Sequence, residues 1–380
     1  MDVWTLFLKT TDAEEVVSRA LEFVKGDPEA QLMVLVAEGD QPDLDALRTR
    51  FVEAGLSFFG GMFPEVVAEG QRQRRGVLLI KMPRLVAPMA FDNLAAAEER
   101  MAGLAASLPD SAAKHPTAFV LVDGLAPDIS TFLEAAYNEF GNRVRYWGGG
   151  AGSMSLVPTP CVFTSERVFK GGAVIGLSTV EAGLGVRHGW RLYKEPLVAT
   201  RTEGNVIHQL NWKSALSVYS SHLEADLGRP VDARNVGDFS RDYPLGVKKQ
   251  AEELVVRDPV GATEDGGLIC VGDVPQNAVL AILTGEAKDL IAAAKMAAED
   301  AVPADTRLVR CCLIADCVSR VVFLGDHFQQ ELDAVSDGLG PLSEGQRPCG
   351  VLTLGEISSR GDGYLELFNK TCVVAVLHGA

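Results

Sequence analysis

Apolar residues along this chain gather in short unbroken runs separated by amphipathic stretches. Leu32-Met33-Val34-Leu35-Val36 is one such run, as expected of a strand buried on both faces. The stretch from Leu44 to Ala54 then has helical spacing and closes at Gly55, a C-cap residue. A short aromatic run leads into Gly60-Gly61. The same order recurs: Phe119-Val120-Leu121-Val122, a helix over 129–140, Gly141, and Tyr146-Trp147-Gly148-Gly149. Gly55 and Gly141 lie 86 residues apart, and Gly60 and Gly148 lie 88 apart. A looser third copy runs through Leu313-Ile314-Ala315, a helix over 329–336, and Cys349-Gly350-Val351-Leu352.

Each copy continues into apolar strands expected to pair with one another: 64–67 with 76–80, 161–164 with 173–177, and 353–357 with 372–377. Strand–helix–strand followed by hairpins predicts an α/β (mixed α+β) fold, with mixed β-sheets and helices packed on them. Between copies two and three, Glu203-Gly204-Asn205 marks a turn between strands 197–200 and 206–210. Helices are expected over 213–223 and 287–300. The polar stretch 237–243 suggests two domains, 1–236 and 237–380.

Composition narrows the function classes. The 35 basic and 51 acidic side chains give a net charge of −16, a poor match to a nucleic-acid partner. No run approaches the roughly 20 apolar residues of a membrane span. Nothing at the start reads as a signal peptide, so a cytoplasmic location is expected. Seven cysteines, an odd number without a CxxC pair, point to free thiols rather than disulfides or zinc. There is no GxSxG, HExxH or nucleotide fingerprint, so an enzyme is not expected.

Several segments in order resemble the FIST module in its N-terminal and C-terminal halves. They are Asp123-Gly124-Leu125 with Tyr146–Gly152, Gly185-Val186-Arg187-His188-Gly189-Trp190, Thr202–Val206 leading to Ala215–Tyr219, and Tyr243-Pro244-Leu245-Gly246. Val256-Arg257-Asp258-Pro259, Asp316-Cys317-Val318-Ser319-Arg320, Gly355-Glu356-Ile357 and Asn369-Lys370-Thr371 follow. The resemblance implies a sensory module of signal transduction that binds small ligands such as amino acids. One branch of the family consists of haem proteins that sense nitric oxide and act on a histidine kinase. Another joins the module to an F-box. No such segment is expected before the module here, nor an output domain after it, so a separate signalling partner is expected. Phe59-Gly60-Gly61-Met62 departs from the family pattern, which leaves the first copy as scaffold.

The candidate site residues carry two readings each. Gly149 and Gly150 suit either an anion nest or a tight turn. His188 suits a core hydrogen bond, a ligand donor or, in the haem branch, an axial iron ligand. Arg257 and Asp258 match the two ends of an α-amino acid, or an internal ion pair; Asp316 and Arg320 share that ambiguity. Glu356 suits either a ligand amine or a structural hydrogen bond, with Asn369 and Thr371 as neutral polar contacts beside it. Cys317 is a candidate nucleophile or thiolate. A pocket is expected where the glycine run, His188 and the Glu356–Asn369 hairpin converge. A protein-interaction module without a ligand is the remaining alternative.

Overall fold

The computed structural model describes residues 4–109, 115–249, 254–304, 309–340, 347–359 and 363–379. The first repeat is β1 (Thr5–Leu8), α1 (Ala13–Phe23), β2 (Ala30–Ala37), α2 (Leu44–Glu53), β3 (Phe58–Phe63), a hairpin of β4 (Glu65–Ala68) and β5 (Gln71–Gln73), and β6 (Val77–Pro83). The second follows the same order: β7 (Met89–Phe91), α3 (Ala97–Met101), β8 (Thr117–Asp123), α4 (Ile129–Phe140), β9 (Arg145–Ala151), the hairpin β10 (Val162–Thr164) and β11 (Val168–Phe169), and β12 (Ala173–Ser178).

The third repeat opens with β13 (Glu181–Arg187) and is then interrupted. The insertion contains β14 (Arg191–Glu203), β15 (Val206–Leu210), β16 (Lys213–Ser214), α5 (Ala215–Leu227), α6 (Val236–Ser240), β17 (Leu245–Lys248), β18 (Leu254–Arg257), β19 (Pro259–Ala262), β20 (Leu268–Cys270) and β21 (Val279–Thr284). The repeat resumes with α7 (Ala287–Ala301), β22 (Val309–Cys317), α8 (Val318–Leu324), α9 (Phe328–Gly338), β23 (Cys349–Thr353), the hairpin β24 (Glu356–Ser359) and β25 (Leu365–Phe368), and β26 (Cys372–His378).

Each repeat pairs its two crossover strands in parallel: β2 with β3, β8 with β9, β22 with β23. Parallel neighbours require a crossover, which α2, α4 and α9 provide. The last strand returns antiparallel to the first, giving β6–β2, β12–β8 and β26–β22. The hairpin between them leaves its own repeat. The β4–β5 hairpin joins β23 of the third repeat, β10–β11 joins β3 of the first, and β24–β25 joins β9 of the second. The exchange is cyclic and yields three six-stranded sheets with the same internal order. This corrects the expected pairing within each copy: the hairpin strands β4, β10 and β24 pair with a neighbouring repeat, whereas 76–80, 173–177 and 372–377 pair with strands of their own.

The three sheets share one core. Met33 and Leu35, Phe119 and Leu121, and Leu313 and Ala315 face it together. The alternate residues Val34, Val120 and Ile314 pack under each repeat's own helices. Both faces are buried, which explains the unbroken apolar runs. Gly60, Gly148 and Gly350 hold one position in the three copies, opposite Val34, Val120 and Ile314. A Cβ there would lie 2.2, 1.7 and 2.0 Å from the facing carbonyl oxygens, so no larger residue fits.

The insertion builds its own eight-stranded sheet, over which Tyr219 and Leu223 of α5 and Phe239 of α6 pack with Leu197, Leu245 and Leu280. Its two ends meet: Arg191 is paired with Thr284, and a Cβ on Gly189 would lie 2.7 and 2.8 Å from backbone atoms of Asp289 and Leu290. The 236/237 boundary read from the polar stretch falls inside α6, within this unit. The Gly204–Asn205 turn and the helices over 213–223 and 287–300 correspond to the β14–β15 turn, α5 and α7.

Candidate functional site

The repeats supply an internal comparison. Counting from the paired glycines, Val36 and Val122 of the first two repeats correspond to Asp316 of the third. Val66 and Val162, the hairpin residues laid against the neighbouring sheet, correspond to Glu356. Phe63 and Ala151 correspond to Thr353. Three positions that are apolar core in two copies are polar and fully buried in the third. Burying a carboxyl is costly unless it is paired or neutralised, so this end of the third repeat is not ordinary core.

Arg320 on α8 organises the cluster. Its Nε and Nη2 donate to the two carboxylate oxygens of Glu331 on α9 at 2.9 and 2.7 Å. Nη1 donates to the carbonyls of His188 (2.6 Å) and Lys370 (3.1 Å), and Nη2 also to Leu290 (3.0 Å). All five N–H groups are thereby used. Nε lies 3.3 Å from Asp316 Oδ1, yet neither Asp316 oxygen accepts a hydrogen bond. Burial first, then the adjacent Glu331 carboxylate, push the Asp316 carboxyl well above the usual range.

Glu356 accepts from Thr353 Oγ1 (2.7 Å) and from the Thr371 amide (3.2 Å). Burial raises its pKa to about 8, against the pull of those donors and of the Cys317 thiol. Cys317 is pushed up by burial and then by Glu356, so it stays a thiol, with Ser319 Oγ 2.9 Å from its sulfur.

The Asn369-Lys370-Thr371 turn joins this cluster to the insertion. Lys370 is buried and sits at φ 52°, in the left-handed region. Its Nζ lies 3.1 Å from Asp258 Oδ2 and 5.4 Å from the centre of the Trp190 ring. Asn369 Nδ2 donates to the Val271 and Val256 carbonyls of the insertion at 3.0 and 3.3 Å. Arg257 reaches the other way, to Glu366 (2.8 Å) and to the Leu367 carbonyl (3.1 Å).

The structure therefore brings His188, Arg257, Asp258, Asp316, Cys317, Arg320, Glu356, Asn369 and Thr371 to one junction. Their roles differ from some of those expected. Arg257 and Asp258 do not face a shared ligand: Arg257 is spent on Glu366 and on carbonyls, and Asp258 serves Lys370. Burial raises the Asp258 carboxyl, against the pull of Lys370. Gly149 and Gly150 are buried strand, not a nest or a tight turn. The Gly150 amide donates to Gly355 O (2.7 Å), its carbonyl accepts from Leu354 (2.9 Å), and Gly149 lies opposite Glu356 in the ladder. His188 Nδ1 accepts from the Trp190 amide at 2.9 Å, which puts the ring proton on Nε2. Neither nitrogen then has a lone pair for iron, so this residue does not fit as an axial haem ligand.

Glu331, Thr353 and Lys370 escaped the sequence reading. The signal for Thr353 was available once the three copies were aligned, whereas Glu331 looks like any helix-surface charge. His115 and His378, outside the family motifs, line an open cleft at the other end of the sheets, and His378 is only 6% exposed.

A family model described as FIST N domain matches residues 30–213, and one described as FIST C domain matches 215–359. The junction between the two matches falls at the start of α5, inside the insertion. No match was found among curated proteins.

Proposed function

The chain belongs to the FIST family, whose domains are associated with signal transduction and small-ligand sensing, and from that premise we propose a sensory protein that binds a small amine-bearing ligand. An amino acid is the simplest such ligand. The observation that carries this reading is the replacement of Val36/Val122 and Val66/Val162 by Asp316 and Glu356 in the third repeat alone. Three carboxyls, Asp316, Glu331 and Glu356, share this end with one guanidinium that is already saturated. The unfilled polar atoms here are acceptors: both Asp316 oxygens and Asp258 Oδ1. A donor, and in particular an ammonium, complements them.

Both carboxyls are fully buried, so the ligand enters only when the insertion and the 369–371 turn separate. This makes binding a conformational event rather than a passive one. An ammonium beside Glu356 favours its ionised form and competes with the Thr371 amide for its oxygens. The same turn grips the insertion through Asn369 and Lys370, so occupancy is felt there. A separate cytoplasmic signalling protein, such as a histidine kinase, would read the change. No catalysis is proposed: Cys317 is kept protonated, and the cluster has no activated nucleophile.

A thermal-shift screen of amino acids and simple amines tests the reading. A ligand that binds only the folded state raises the melting temperature. At least one compound should shift the wild type and leave Glu356→Gln unmoved. The reading fails if no compound shifts the wild type, or if the variant responds equally.

A further inference from the structure

The ammonium of Lys370 sits in a cage built by other segments of the chain. Asp258 Oδ2, just after β18, lies 3.1 Å from Nζ, and the Arg241 carbonyl, just after α6, lies 3.4 Å from it. The ring of Trp190, just before β14, is centred 5.4 Å away. A carboxylate, a carbonyl and the face of an indole are together a recognition site for a protonated amine. The lysine arrives on a turn that has other ties: Asn369 donates to the Val256 and Val271 carbonyls, and the Thr371 amide donates to Glu356. Its own φ of 52° lies in the left-handed region that side chains disfavour.

The lysine fits this cage poorly. A charge-assisted N–H···O bond is usually about 2.7–2.9 Å long, and both contacts exceed that. Asp258 Oδ1, also buried, accepts no hydrogen bond. A tethered ammonium cannot close these gaps, because the turn sets its reach, whereas an untethered one settles between both carboxylate oxygens. An approach exists on the Asp258 side, whose side chain is 14% exposed against 2% for Lys370. We propose that the cage is a binding site for a primary ammonium group, that Lys370 fills it as a tethered competitor, and that a soluble amine enters by displacing this side chain. The class of the natural ligand rests on the amine reading above, but the site itself uses neither Asp316 nor Glu356. Displacement removes one tie between the 369–371 turn and the insertion. The apparent affinity for an amine falls with the share of molecules in which the lysine holds the cage.

Lys370→Gly removes the competitor at a φ that glycine accepts. Calorimetric titration at pH 8 should show n-butylammonium, the missing side chain, binding this variant at least tenfold more tightly than the wild type. Butanol, which lacks the charge, and tetramethylammonium, which lacks N–H donors, should bind the variant at least tenfold more weakly than n-butylammonium. Adding Asp258→Asn should abolish the signal; adding Glu356→Gln should preserve it. In the wild type, n-butylammonium should speed hydrogen exchange at 369–371 and tetramethylammonium should not, an arm that needs no variant to fold. Failure of n-butylammonium to bind the folded variant, an equal response to butanol, a signal that survives Asp258→Asn, or equal exchange in the two salts overturns the proposal. A blank amino-acid screen alongside the expected results overturns only the Glu356 reading. Amino-acid shifts abolished by Glu356→Gln, without binding to Lys370→Gly, overturn only this one.

Discussion

At the scale of single residues, Glu356 carries the account. Its ordinary pKa of 4.5 rises to about 8 in the folded protein, so the folded state binds a proton that the unfolded chain releases. The stabilisation it gives as an acid is complete below about pH 4.5 and is lost as pH rises through 8. Chemical denaturation between pH 5 and pH 8.5 should therefore show stability falling with pH, and Glu356→Gln should flatten that slope. Asp316, raised in the same direction, leaves a residual slope. A slope of equal size in the variant would mean that Glu356 is already ionised. Glu356 was legible in the sequence because its hairpin carries few other charges. What the sequence did not disclose is that Arg320 and Arg257 are spent on internal partners. That depends on Glu331, Leu290 and Glu366, which only folding brings near them. The same limit applies to His188, whose tautomer is set by the amide of Trp190.

At the scale of elements, the paired crossover strands and their helices were legible from periodicity, because strands buried on both faces are apolar throughout. The destination of each hairpin was not. A run such as 162–164 reads the same whether it pairs with its own repeat or the next, since both partners offer an apolar surface. The glycines fix how closely the parallel strands approach. Gly148→Ala places a methyl 1.7 Å from the Val120 carbonyl and should cost about 3 kcal/mol, the upper end of overpacking penalties. Gly55→Ala, at φ 68° with nothing within 4 Å, should cost only about 1 kcal/mol. Urea unfolding of the two variants compares them. Equal losses would show that close approach is not the reason for glycine at position 148.

At the scale of the whole molecule, three strand-exchanging repeats form one body, and a separate sheet is inserted in the third. The polar stretch at 237–243 suggested a domain boundary, but composition cannot distinguish a linker from the short helix α6 of an inserted unit. Because the insertion's ends meet beside Gly189 and Asp289, replacing residues 191–284 with a short glycine-rich link should leave a cooperatively folding body. Near-native far-ultraviolet dichroism and one sharp thermal transition are expected; loss of the transition would mean that the repeats need the insertion to fold. The central claim concerns what lies between these two bodies. Hydrogen exchange of the intact protein, with and without a saturating amine ligand from the screen, tests it most directly. The account predicts altered protection at 349–357, 369–373 and β18, which hold the Glu356 cluster and its grip on the insertion. Ligand-dependent change confined to other parts of the chain, with those segments unmoved, would contradict it.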